Sequence, residues 1–116
     1  MLRALLFVMF GLIAIPVFAA SETCTSLASR AEGTQGGFYP PAEAKVIGTG
    51  KLSFYEAPSV KCKIQKIYTE PGSYLTVYKI HNGWANVMFV PNDAEDLVAW
   101  VPSNRLNLIG QYGRYP

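Results

Sequence analysis

The run Tyr74-Leu75-Thr76-Val77-Tyr78-Lys79-Ile80-His81-Asn82-Gly83-Trp84-Ala85-Asn86-Val87-Met88-Phe89-Val90 decides the fold class. Its two arms, Tyr74 to Ile80 and Trp84 to Val90, are rich in β-branched and aromatic residues. Such side chains suit a pleated, half-buried surface. Between the arms stands His81-Asn82-Gly83. Asn-Gly supplies the two positive-φ residues that a tight hairpin turn requires. The segment therefore predicts a β-hairpin.

The same texture extends outward on both sides. Downstream, a polar loop (Pro91-Asn92-Asp93-Ala94-Glu95-Asp96) precedes a strand over Leu97 to Val101, and Leu106 to Ile109 is the last strand. Upstream, Ile64 to Tyr68 ends at Glu70-Pro71-Gly72, and Lys51 to Tyr55 ends at Glu56-Ala57-Pro58-Ser59. Lys45-Val46-Ile47 is the first strand expected. Short β-rich runs punctuated by turns at intervals of about ten residues are the spacing of all-β domains. No stretch after Lys45 has a helical period. The expectation is a small barrel or two-sheet sandwich of five to seven antiparallel strands over residues 45–110, with a short tail at 111–116. Residues 20–44 read differently, being polar, small and broken by Gly36-Gly37 and Pro40-Pro41. They predict an N-terminal arm, with one or two helical turns over Thr25 to Glu32.

The first residues carry an export signature. Met1-Leu2-Arg3 is a short basic start, Ala4 to Val17 is apolar apart from Gly11 and Pro16, and Val17-Phe18-Ala19 offers small residues for cleavage. This order predicts a secretory signal peptide over residues 1–19. The apolar run is shorter than the ~20 residues of a membrane span, so no span is expected after cleavage. Polar Ser21-Glu22-Thr23 before Cys24 argues against lipidation. About 97 residues remain, enough for one compact domain. Charge is nearly balanced, with ten Lys and Arg against eight Asp and Glu in the full chain. Nucleic-acid binding calls for clustered basic residues, and the sole concentration, Lys61, Lys63 and Lys66, reads as a lysine-guarded strand edge. Two cysteines, Cys24 and Cys62, form an even pair. In an exported chain such a pair predicts a disulfide. A reactive thiol would want a nearby base or a C-x-x-C spacing, and neither is present.

Four segments resemble the bacterial SH3-like (Src-homology-3-like) domain family. Lys51-Leu52-Ser53-Phe54-Tyr55-Glu56-Ala57-Pro58-Ser59 is similar to the family's L-N-V-R-x-x-P-S segment. Glu70-Pro71-Gly72-Ser73-Tyr74-Leu75-Thr76-Val77 resembles its K-G-D turn and following strand. Asn82-Gly83-Trp84-Ala85-Asn86-Val87 resembles its N-G-W-x-x-V hairpin. Ala99-Trp100-Val101-Pro102-Ser103-Asn104-Arg105-Leu106 resembles its G-W-V-x-x-x-x-L ending. The similarity covers about residues 45–109. Tyr55 replaces the usual arginine, Ala99 the usual glycine, and the Pro91–Asp96 loop is longer than the family minimum. The resemblance implies an SH3-like barrel and a recognition role: bacterial members bind peptidoglycan, and eukaryotic relatives bind proline-rich peptides in an aromatic groove. Trp84 and Pro102-Ser103-Asn104 match that groove, whereas Arg105 stands where the relatives carry a tyrosine.

Catalytic constellations are not in view. His81 is the sole histidine and sits beside a turn, without a second imidazole for a metal site. The serines fit no nucleophile elbow or triad. Glu56, Glu70, Asp93, Glu95 and Asp96 fall in loops, where solvated turn charges are the common case. The chain is therefore expected to be no enzyme and to need no metal or cofactor. Its aromatic residues are more informative. Phe54 and one tryptophan serve as core, but a barrel this small cannot bury all of Tyr55, Tyr78, Trp84, Phe89 and Trp100. Surface aromatics supply flat contact area with little rotamer entropy to lose. The expected binding residues are Tyr55, Glu56, Trp84, Trp100, Pro102 and Asn104. Phe38-Tyr39-Pro40-Pro41 resembles a polyproline ligand, and a Cys24–Cys62 bond would hold it near that groove. The leading expectation is an exported, non-catalytic module that binds peptidoglycan or an envelope protein or peptide. The alternative is an inhibitor or immunity protein that blocks a toxin or cell-wall hydrolase, with the acidic Asn92–Asp96 loop entering a basic cleft.

Overall fold

In the computed structural model, which describes residues 23–91 and 95–111, the hairpin forms where the Asn-Gly turn puts it. Asn82 and Gly83 both hold positive φ, 48° and 81°. In chain order the elements are helix α1 (Cys24–Glu32) and strands β1 (Gly37–Val46), β2 (Leu52–Tyr55), β3 (Lys63–Thr69), β4 (Tyr74–His81), β5 (Trp84–Phe89), β6 (Leu97–Pro102) and β7 (Leu106–Gln111). Short 3-10 turns at Val60–Cys62 and Ser103–Arg105 precede β3 and β7. The seven strands form one antiparallel sheet in the order β3-β2-β6-β5-β4-β1-β7. The domain is thus a small all-β fold with one short helix.

Alternation along the strands builds the core. Ala42, Ala44 and Val46 of β1, Leu75 and Val77 of β4, Ala85 and Val87 of β5, and Ala99 and Val101 of β6 all turn to one face and are buried. Leu52, Phe54 and Leu106 complete the cluster. Phe54 stacks on Phe89 with ring centroids 4.7 Å apart.

β1 departs from the sequence expectation. Residues 37–44, expected as part of an arm, belong to a strand that lies between β4 and β7. Prolines cannot donate to a ladder, which is why they argued against a strand. The register shows how they fit: Gly37 pairs with Lys79, but the next pair is Ala42 with Val77. Residues 38–41 bulge out of the ladder, so Pro40 and Pro41 cost no strand hydrogen bond. The Phe38–Pro41 segment is therefore part of the sheet and not a ligand lying in a groove. Pro40 accepts a hydrogen bond from Gln111 Nε2 at 3.3 Å.

α1 begins at Thr23, whose Oγ1 accepts from the Ser26 backbone N–H and satisfies one orphan donor of the first turn. Cys24 and Cys62 form a disulfide, as expected, that ties α1 to the 3-10 turn before β3. Among the described residues no helix is long and apolar enough to cross a membrane. The expected signal peptide, residues 1–19, lies outside the described residues, as do Asn92, Asp93 and Ala94 and residues 112–116.

Candidate recognition face

The face of the sheet opposite the core carries the residues singled out as binding candidates. Tyr55 follows core-facing Phe54, and Trp84 precedes core-facing Ala85, so both point to this outer face. Their rings meet edge to face, with centroids 5.0 Å apart and planes at 77°. Such a pair contributes about 0.5–1.5 kcal/mol beyond area burial. Trp84 pairs in register with Pro102 on β6 and with His81 across the hairpin. The Ser103 backbone N–H donates to the Gly83 carbonyl at 2.8 Å, which docks the 3-10 turn against the hairpin tip. Asn104 on that turn and Glu56 beyond β2 are exposed, while Tyr55, Trp84 and Pro102 are half-buried. Tyr55, Trp84 and Pro102 therefore come together on one face, and Glu56 and Asn104 stand exposed in the segments that follow Tyr55 and Pro102.

Trp100 is the exception, since only 1% of it is exposed. It alternates with core-facing Ala99 and Val101, so it too points to the outer face, and it pairs in register with Tyr55. It is therefore not a surface contact, and the expectation of a binding role for it is not met by its exposure. Its Nε1–H is buried with no hydrogen-bond partner among the described residues. An orphaned buried donor costs about 1–3 kcal/mol. Next to it, Asn86 is also buried, and its Nδ2 donates to the Ala99 carbonyl at 3.4 Å.

Two residues outside the expected binding set shape this region. Lys79 Nζ donates to the carbonyls of Ala31 and Glu32, at 3.3 and 2.9 Å, and to that of Thr34. They lie at and just beyond the end of α1, where a cation is favoured by the helix dipole. Nothing in the local sequence distinguishes Lys79 from a solvated strand lysine. Arg105, at the position of a groove tyrosine in the resembled family, turns away from the aromatic pair. Its Nε donates to the Ile47 carbonyl at 2.7 Å and its guanidinium to that of Gly50 at 2.6 Å, pinning the β1–β2 loop.

His81 ends β4 beside the turn, and its Nε2 lies 3.2 Å from Asn82 Nδ2. Glu56, Glu70, Glu95 and Asp96 are exposed, and Asp93 lies outside the described residues. Among the described residues no three His, Cys, Asp or Glu side chains cluster as metal ligands would. An open depression of about 530 Å³ lies by the β3 edge, lined by Lys66, Tyr68, Glu70 and Phe89 among others. None of the expected binding residues lines it. No family model, curated protein or solved structure matches this chain.

Proposed function

We propose that the protein is an exported, non-catalytic recognition module of the SH3-like kind, and that its ligand is peptidoglycan or a peptide of the cell envelope. The observation that carries this reading is the Tyr55–Trp84 pair, half-exposed, with Pro102 in register with Trp84 and exposed Glu56 and Asn104 in the segments that follow Tyr55 and Pro102. Flat, preordered aromatic surface with a few polar groups at its edge is the composition of a recognition site. The 3-10 turn at Ser103–Arg105 supports the family reading, because it falls on the Pro102-Ser103-Asn104 segment that carries the resemblance. The Cys24–Cys62 disulfide supports an oxidising compartment.

An affinity pull-down from detergent-solubilised envelope and from purified sacculi tests this. The bait is the oxidised protein, with Trp84→Ala as control. Retention of wall fragments by the wild type and their loss with Trp84→Ala is the expected result. Retention of a single envelope protein would instead favour the inhibitor reading. Equal retention by both baits would remove the aromatic pair from the site.

A further inference from the structure

The depression at the β3 edge is built as a binding site in its own right. β3 ends the sheet and has β2 as its one strand partner among the described residues. The main chain of an edge strand offers N–H and C=O groups to an added strand. The ladder from β3 to β2 has a gap, since Tyr55 pairs with Lys63 and the next pair is Ser53 with Tyr68. Residues 64–67 bulge there, and Lys66 holds a φ of +65°, a left-handed conformation uncommon for a residue with a side chain. Backbone outliers of this kind gather at ligand sites. Past the far end of β3, Glu70 opens a turn that the Ser73 backbone N–H closes on the Glu70 carbonyl at 3.1 Å. Gly72 supplies the positive φ that this turn needs, 94°. Thr69 Oγ1 donates to Ser73 Oγ at 2.6 Å and braces the same turn. Backbone geometry thus fixes both ends of the depression.

Lys66 and Glu70 both line this depression of about 530 Å³, and both are exposed. Among the described residues neither has an ion-pair partner, so the two opposite charges do not neutralise each other. The lining also has an apolar part: Ile67 and Phe89 pack partly buried against the core, and Val90 is exposed. Four residues of extended chain reach at most about 14 Å, which a peptide of two to four residues matches. We propose that the depression binds short free peptides laid antiparallel to β3, with the C-terminal carboxylate on Lys66 and the N-terminal ammonium on Glu70. The direction follows from the charges. β3 runs from Lys66 towards Glu70, so a peptide whose carboxylate meets Lys66 runs the opposite way, as the paired strands of this sheet all do. The edge of β3 bonds the peptide's amides, and an apolar side chain of the peptide covers Ile67 and Phe89. A lone cation would be repelled by Lys66 and a lone anion by Glu70, whereas a zwitterion satisfies both. The site shares no residue with the Tyr55–Trp84 face and does not rest on the recognition reading.

Titration of the oxidised protein with the tripeptide Ala-Leu-Ala, followed by amide NMR shifts, tests the site. A Kd of about 1 mM is the expected scale for so few atoms in an open depression. The amides of residues 67–70 and 73 are expected to move, while the indole N–H signals of the two tryptophans stay in place. The N-acetylated tripeptide and the C-terminally amidated one are each expected to bind at least threefold more weakly, the scale of one exposed ion pair. Two variants assign the charges. Lys66→Gln is expected to bind the free and the amidated peptide alike, and Glu70→Gln the free and the acetylated peptide alike. Both replace exposed side chains, so the fold is expected to survive them. Absence of saturable binding by about 10 mM overturns the proposal. So does a capped peptide that binds within threefold of the free one, whatever the variants do. Shifts centred on the Trp84 indole, with residues 67–70 unmoved, also overturn it and assign the peptide to the recognition face.

Discussion

Replacing Cys24 and Cys62 together by serine should expose how much of the domain's stability comes from one bond. The disulfide closes a loop of 38 residues that contains α1, β1 and β2. A cross-link removes conformations from the unfolded chain, and for a loop of this length the entropy term is about 4 kcal/mol. Small domains have only ~5–15 kcal/mol in total, so the loss is a large fraction. Burial adds to it, because Cys62 is 4% exposed and a serine hydroxyl there must find a partner or go without. With a urea dependence of about 1–1.5 kcal/mol per molar, the unfolding midpoint should fall by roughly 3 M. The assay is equilibrium urea unfolding followed by tryptophan fluorescence, with far-UV circular dichroism to establish that the sheet is present without urea. A midpoint shift below about 0.7 M, worth under ~1 kcal/mol, would refute the reasoning. It would mean that the N-terminal segment is held by the β1 ladder and the Lys79 hydrogen bonds, and that the cross-link constrains little.

Three further substitutions probe separate parts of the structure. Phe54→Ala removes a fully buried ring that stacks on Phe89 and should cost about 3–5 kcal/mol in chemical unfolding. Gly48→Ala forces a side chain onto a φ of +89°, with its Cβ 2.6 Å from Arg105 Nε, and should cost about 1–3 kcal/mol by calorimetry. Gly50→Ala is the matched comparison, since its φ is +82° but nothing lies within 4 Å; a cost equal to that of Gly48→Ala would show that Arg105 yields freely. Trp84→Ala loses mainly the edge contact to Tyr55, so its stability cost should stay near ~1 kcal/mol while retention on sacculi falls at least tenfold. A large stability loss without a binding loss would mark Trp84 as structural.

Much of the sheet is legible in the chain because its signals are local. Asn82-Gly83 needs positive φ, and it turns the β4–β5 hairpin at the expected place. β2 through β7 fall within a residue or two of their apolar, β-branched runs. The end of β1 was expected at Lys45-Val46-Ile47, but residues 37–44 were hidden because Pro40 and Pro41 break the local pattern, and only pairing with β4 and β7 shows that they occupy a bulge. The candidate site divides along the same line. Trp84 and Pro102 lie in turn-bounded segments whose spacing brings them together across β5 and β6. Period-two alternation also puts Trp100 on the outer face, opposite Ala99 and Val101.

Alternation says which face a side chain takes and nothing about what lies above it. Trp100 is sealed while Trp84 is half-open, although both stand on the same face of the sheet. α1 is tied to the sheet by the Cys24–Cys62 bond and by Lys79, whose contact with Glu32 across 47 residues nothing in its local sequence marks. The sequence by itself determined the strands, the hairpin turn and the cysteine pair, because each rests on backbone preference or on composition. Tertiary structure alone decided which aromatic residues meet solvent, because exposure is set by the element packed across a face, and packing joins residues that the chain keeps apart.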